Sequence, residues 1–233
     1  MNFSHDALKK TTRPGGFFIT GTDTDVGKTY VSGCIASTLR QQGITVAPRK
    51  PIASGCLPQA DGTLLSEDAL FLQQATHTTD SLKIICPYQF EAAISPHMAI
   101  KQANLDITIN DLFKACKAPE DQFALVEGAG GFYSPLALDG LNKDLAIALN
   151  YPVILVVANR IGCINQTLLN ITAIAQAKLH LHSIVINHLK KLTPYSPNPA
   201  KGLEDFTDAA IHEVMYSEDR LPIPISHWST GTK

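Results

Sequence analysis

The sequence predicts an α/β fold, with a mostly parallel sheet and helices on both faces. Three observations predict it. Short apolar runs of the buried-strand type recur along the 233 residues, at 17–19, 123–126, 152–157 and 183–186. Helical patterns fall between them, so strand and helix alternate as parallel crossovers require. The composition is 45% hydrophobic and 17% charged, too apolar for a disordered chain and suited to one packed domain.

Taken in order, residues 1–14 read as a polar leader ahead of a single domain over 15–233. Phe17-Phe18-Ile19 is the first strand and stops at Thr20-Gly21. Residues 29–42 carry Val31, Ile35, Ala36 and Leu39 at helical spacing and end at Gly43, a residue suited to closing a helix. A second strand follows over 45–50, with Lys50 at its end. Further helices are expected over 68–75, 109–116, 142–149, 165–177 and 203–215. The segment 190–202, with Pro194, Pro197 and Pro199, reads as a mobile surface loop inside the domain.

Several classes are disfavoured. The net charge is −2 and no Lys/Arg run exceeds two residues, so no nucleic-acid partner is expected. Five cysteines without a C-x-x-C pair suggest neither a disulfide framework nor a thiolate metal cluster. No apolar run approaches the ~20 residues of a membrane span, and a cytoplasmic location is expected.

The first strand runs into Gly21-Thr22-Asp23-Thr24-Asp25-Val26-Gly27-Lys28-Thr29 and then a helix. That strand, loop and helix context is the one a P-loop requires, which makes the fold P-loop NTPase-type. Loop N–H groups can surround phosphate oxygens, Lys28 can place a charge at the β/γ-phosphates, and the Thr29 hydroxyl can bind Mg²⁺. The regular spacing is exceeded by one, since five residues separate Gly21 from Gly27.

This loop variant resembles that of the dethiobiotin synthetases. Arg49-Lys50-Pro51-Ile52-Ala53-Ser54-Gly55 is similar to a Lys-Pro-x-x-Ser-Gly segment of that family, and Ser95-Pro96-His97 to its Ser-Pro-His. Glu127-Gly128-Ala129-Gly130-Gly131 resembles its Glu-Gly-Ala-Gly-Gly, and Gly162-Cys163-Ile164-Asn165 its substrate-carboxylate segment. Lys28, Lys50, Glu127, Gly162 and Asn187 all follow expected strands, and ligands of open parallel sheets bind beyond the strands' carboxyl ends. Near the C-terminus the pattern departs, because Asp219-Arg220-Leu221-Pro222-Ile223-Pro224 lacks a Gly usual in the family.

The resemblance implies an ATP- and Mg²⁺-dependent ligase acting on 7,8-diaminononanoate and CO2, as a homodimer with a shared site. It implies catalytic roles for Lys28 and Lys50. Nucleotide contacts are implied at Asp25, Val26, Gly27, Lys28, Thr29, Tyr30, Asp68, Glu127, Gly128, Ala129, Gly130 and Asn187. Substrate contacts are implied at Thr24, Ser54, Gly162, Cys163, Ile164 and Asn165, and metal ligation at Thr29, Asp68 and Glu127. Read from residues alone, Asp68 has an alternative as a first-turn carboxylate favoured by a helix dipole, and the Gly162 segment as an ordinary helix start. Cys163 reads as a packing thiol. Two rivals remain, an amide-forming synthetase of the cobyrinic acid type and a partition-type ATPase whose loop would carry Lys at Asp23.

Overall fold

A computed structural model describes residues 15–216. The leader and the 219–224 segment lie outside the described residues. In chain order the elements are β1 (Gly16–Gly21), α1 (Lys28–Gln41), β2 (Val46–Arg49), β3 (Ile52–Ser54), β4 (Leu57–Pro58), β5 (Leu64–Leu65), α2 (Glu67–Thr76), α3 (Leu82–Ile85) and β6 (Tyr88–Phe90). They continue with α4 (Pro96–Gln102), α5 (Ile109–Ala115), β7 (Phe123–Gly131), α6 (Asn142–Leu149), β8 (Val153–Ala158), α7 (Cys163–Gln176), β9 (Leu181–Asn187), α8 (Pro199–Leu203) and β10 (Ala210–Val214).

The main sheet has six strands in the order β10-β9-β8-β1-β7-β2, every pair parallel. The strands β1, β7, β8 and β9 carry unbroken apolar runs because both faces are covered. Phe18, Val126, Leu155 and Ile186 point into one core with Leu112, Leu145 and Ile174 from the helices, while Phe17, Ile19, Leu125, Val156 and Val185 point into the other with Val31, Ile35 and Leu39 of α1. This alternation follows from the two-residue period of a strand. Between β2 and β7 the chain adds two small ribbons, β3 with β6 in parallel and β4 with β5 antiparallel, which the strand pattern did not reveal.

Helix ends follow local chemistry. Gly43, at φ 78, closes α1: its N–H donates to the Arg40 carbonyl and the Ile44 N–H to that of Leu39. Ser66 caps α2 through the Ala69 N–H, and Thr108 with Asp111 forms a reciprocal cap on α5.

One expected element is corrected. Residues 203–215 do not form a helix; α8 ends at Leu203 and β10 pairs parallel with β9. The decisive contacts are tertiary, for Leu203 and Val214 are both fully buried and β10 completes the sheet edge. The 190–202 segment is likewise not all loop, since α8 begins at Pro199. Helix α7 starts at Cys163, two residues before the expected start. All five cysteines are buried thiols, and among the described residues no helix is long and apolar enough to cross a membrane.

Candidate active site

The loop from Gly21 to Gly27 leaves the carboxyl end of β1, the central strand next to β7 and β8, and enters α1 at Lys28. Two residues take left-handed backbone, Asp25 at φ 56 and Gly27 at φ 86. A side chain at Gly27 would collide with the Asn187 amide, so glycine is needed there for space as well as for φ. Lys28 is 7% exposed and its Nζ donates to the Asp23 carbonyl at 2.9 Å. Burial, then the nearby Lys50 ammonium, lowers its pKa to about 8.

Beside the loop, four elements deliver one charged cluster. Lys50, just past β2, places Nζ 2.6 Å from Glu127 Oε1 and 2.8 Å from Asp68 Oδ2. The Thr29 hydroxyl lies 2.7 Å from Glu127 Oε1 and 2.9 Å from Asp68 Oδ1. Glu127 is 1% exposed, and Ser32 Oγ donates to its Oε2 at 2.8 Å. Burial opposes the Lys50 charge, but Glu127 and Asp68 outweigh it and raise its pKa above the usual lysine range. Lys50 is therefore a fixed cation rather than a proton acceptor. Asp68 is held below the ordinary carboxylate range, its burial outweighed by Lys50.

Oxygen donors only meet at this point, and the ammonium of Lys50 already bridges the two carboxylates, so the set is built for positive charge. Among the described residues no third acid, His or Cys joins them into a protein-only metal cage. Thr29, Asp68 and Glu127 thus fit Mg²⁺ in the way that ion is usually held, by one or two carboxylates with phosphate and water completing the shell.

The glycine-rich end of β7 runs beside the phosphate loop. Lys50 Nζ lies 3.4 Å from the Gly128 carbonyl. Asn142, fully buried, accepts from the Ala129 N–H and donates to the carbonyls of Ala129 and Gly131, which fixes this stretch. Gly130, at φ 77, faces Thr24 across the gap. Asn187, at the end of β9, donates to the Val26 carbonyl at 3.0 Å, so at least one of its amide donors braces the loop.

A family model described as an AAA domain matches residues 15–214. The ATP-dependent dethiobiotin synthetase BioD of Vesicomyosocius okutanii is 37% identical over 206 residues, 88% of this chain and 91% of that protein. The enzyme of the same name from Pseudomonas aeruginosa is 38% identical over 213 residues, 84% of this chain and 93% of its own. This chain belongs to the dethiobiotin synthetase family. The signal recognition particle receptor FtsY from Elizabethkingia anophelis, in complex with GDP, superposes with a TM-score of 0.52 at 12% identity, covering 92% of this chain and 61% of the receptor. At that identity the likeness concerns the fold alone, a P-loop sheet with its helices.

Within this member of the dethiobiotin synthetase family, Thr29, Lys50, Asp68, Glu127 and Gly128 are joined by direct bonds, Asn187 is bonded to Val26, and Lys28 is bonded to the Asp23 carbonyl of the loop. Thr24 and Asp25 are exposed on the loop, Tyr30 is half-buried on α1, and Ser54 ends β3. Gly162, at φ 89, caps α7 with Asn165 exposed, Ile164 half-buried and Cys163 buried; no hydrogen bond among the described residues ties these four residues to the cluster. Three contributors escaped the sequence reading. Ser32 stands three residues after Thr29 on the same helix face, a spacing that signals it in retrospect. Asn142 and Arg160 carry no local signal.

Proposed function

We propose that this chain forms dethiobiotin from 7,8-diaminononanoate, CO2 and ATP, closing a five-membered cyclic urea and releasing ADP and phosphate. The observation that carries the reading is the convergence of Lys28, Thr29, Lys50, Asp68 and Glu127 where the phosphate loop leaves the sheet. One substrate amine captures CO2 as a carbamate. A carbamate oxygen then attacks the γ-phosphorus and ADP departs, leaving a carbamic-phosphoric anhydride. The second amine attacks its carbonyl carbon, the C–O bond to phosphate breaks, and the ring closes.

Each residue meets one demand of that path. Negative charge spreads over the transferring phosphoryl, and Lys28 and Lys50 oppose it from positions already set before reaction. Loop N–H groups from Asp25 to Tyr30 cradle the phosphates. Mg²⁺ held by Thr29, Asp68 and Glu127 would supply further charge neutralisation at the phosphates. Gly128, Ala129 and Gly130 line the nucleotide side, and Asn187 stands at its base end. Asp25 attracts a substrate ammonium, Thr24 faces the same space, and Ser54 bonds the carbamate.

The substrate carboxylate belongs at the helix start of Gly162, Cys163, Ile164 and Asn165, where the Cys163 N–H is already given to the Arg160 carbonyl; a second copy in a cytoplasmic homodimer supplies that helix start. The reach of a long diamino acid and the open helix start support this arrangement. ADP release tested with the diamino acid, with and without bicarbonate, should require both and yield a cyclic urea by mass. Equal ADP release without bicarbonate would overturn the assignment.

A further inference from the structure

Arg160 lies in the turn between β8 and the Gly162 cap of α7, far from the phosphate loop in sequence. Its Nη2 nevertheless reaches Asp23 Oδ2 at 2.9 Å, and the same nitrogen lies 3.4 Å from Gln166 Oε1 on α7. The other carboxylate oxygen of Asp23 accepts the Thr24 N–H at 2.8 Å. Asp23 is thus held from both sides, and its own carbonyl is the acceptor for Lys28 Nζ.

The loop is pinned at two corners by side chains from neighbouring strand ends. Asn187 holds the Val26 carbonyl from the end of β9, and Arg160 holds Asp23 from beyond β8. Between these points lie residues 24 and 25, exposed and, at Asp25, in left-handed backbone. The two partners of the ion pair are 49% and 50% exposed, so the pair contributes little to global stability. Its effect falls on where the loop sits. An ammonium has three donors; the one given to Asp23 leaves two for phosphate oxygens and sets the direction in which they point.

We infer that Arg160 is a positioning residue for phosphoryl transfer: through Asp23 it fixes the carbonyl that orients Lys28. The inference rests on the reading of Lys28 as the lysine that meets the transferring phosphate. A displacement of about 1 Å at such a group lowers turnover up to about a hundredfold, while substrate contacts elsewhere are kept. Arg160→Gln and Asp23→Asn should each lower kcat about tenfold, with KM for ATP and for the diamino acid within about twofold of wild type. Because both changes release one latch, the double variant should be no slower than either single one. Arg160→Lys, which keeps the charge, should recover part of the loss.

The measurement is steady-state kinetics on the four proteins and Lys28→Ala, with melting curves to confirm that each is folded. An Arg160→Gln kcat within twofold of wild type overturns the inference, as do multiplying effects in the double variant. A raised KM for the diamino acid at unchanged kcat also overturns it, because Arg160 would then be a substrate contact. Should Lys28→Ala itself turn over normally, it is the functional reading that fails, a result distinct from all of these.

Discussion

Removing the buried carboxylate of Glu127 tests how the site's charge is balanced. In the folded chain Glu127 and Lys50 are 1% and 4% exposed and lie 2.6 Å apart. Breaking a buried pair by neutralising one member costs about 3–5 kcal/mol, because the remaining charge is left without compensation. Here Lys50 keeps Asp68 at 2.8 Å, a half-exposed partner, so Glu127→Gln should fall at the low end, about 3 kcal/mol. Lys50→Met should cost about 2–3 kcal/mol, since Glu127 keeps hydroxyl donors from Thr29 and Ser32. The double variant removes both charges and should lie within about 1 kcal/mol of wild type, although inactive. Urea unfolding of the ligand-free proteins measures all three.

Sign and pH window follow from the raised Lys50 pKa. A cation stabilised by folding contributes fully below its unfolded value of about 10.4 and loses that contribution only as pH rises through the higher folded value. The Lys50 contribution should therefore be flat between about pH 6 and 9. Additive losses in the double variant would refute the claim that the two residues are held chiefly by each other.

Lys28 differs in sign. Its folded pKa of about 8 lies below the ordinary lysine value of 10.5, so its charge opposes folding, and ligand-free stability should rise as pH increases between those values. Lys28→Met should accordingly gain about 1–3 kcal/mol at neutral pH while losing turnover, and an unchanged pH slope in urea melts would contradict this. Gly27→Ala should cost about 1–2 kcal/mol from backbone alone and more from collision with Asn187, with ATP binding weakened; calorimetric titration showing wild-type affinity would count against it. For the shared dimeric site, mixing Lys28→Ala with Asn165→Asp protein should restore about a quarter of wild-type activity, since half the dimers are mixed and each has one intact site. No recovery despite demonstrated subunit exchange would place each site within one chain.

The parts legible in the sequence are those decided locally. A strand followed by Gly-rich turn, Lys28, Thr29 and a helix is a continuous stretch whose backbone and chemistry are set by near neighbours, and the unbroken apolar runs of β1, β7, β8 and β9 announce a sheet covered on both faces. Glu127, Lys50 and Asp68 could be named because their segments resemble those of the family. What decided their meaning was tertiary. Strand order puts β1 between β7 and β8, which brings Glu127 onto Thr29 and Ser32, and Arg160 onto Asp23. The 203–215 stretch differs from the expected helix for the same reason: its local pattern is weak, and the edge of β9, with the buried places of Leu203 and Val214, selects a strand at Ala210–Val214 instead. A periodic pattern records which side of an element is apolar, but a hydrogen bond between side chains far apart in sequence exists only once the sheet has set the distance between its strand ends.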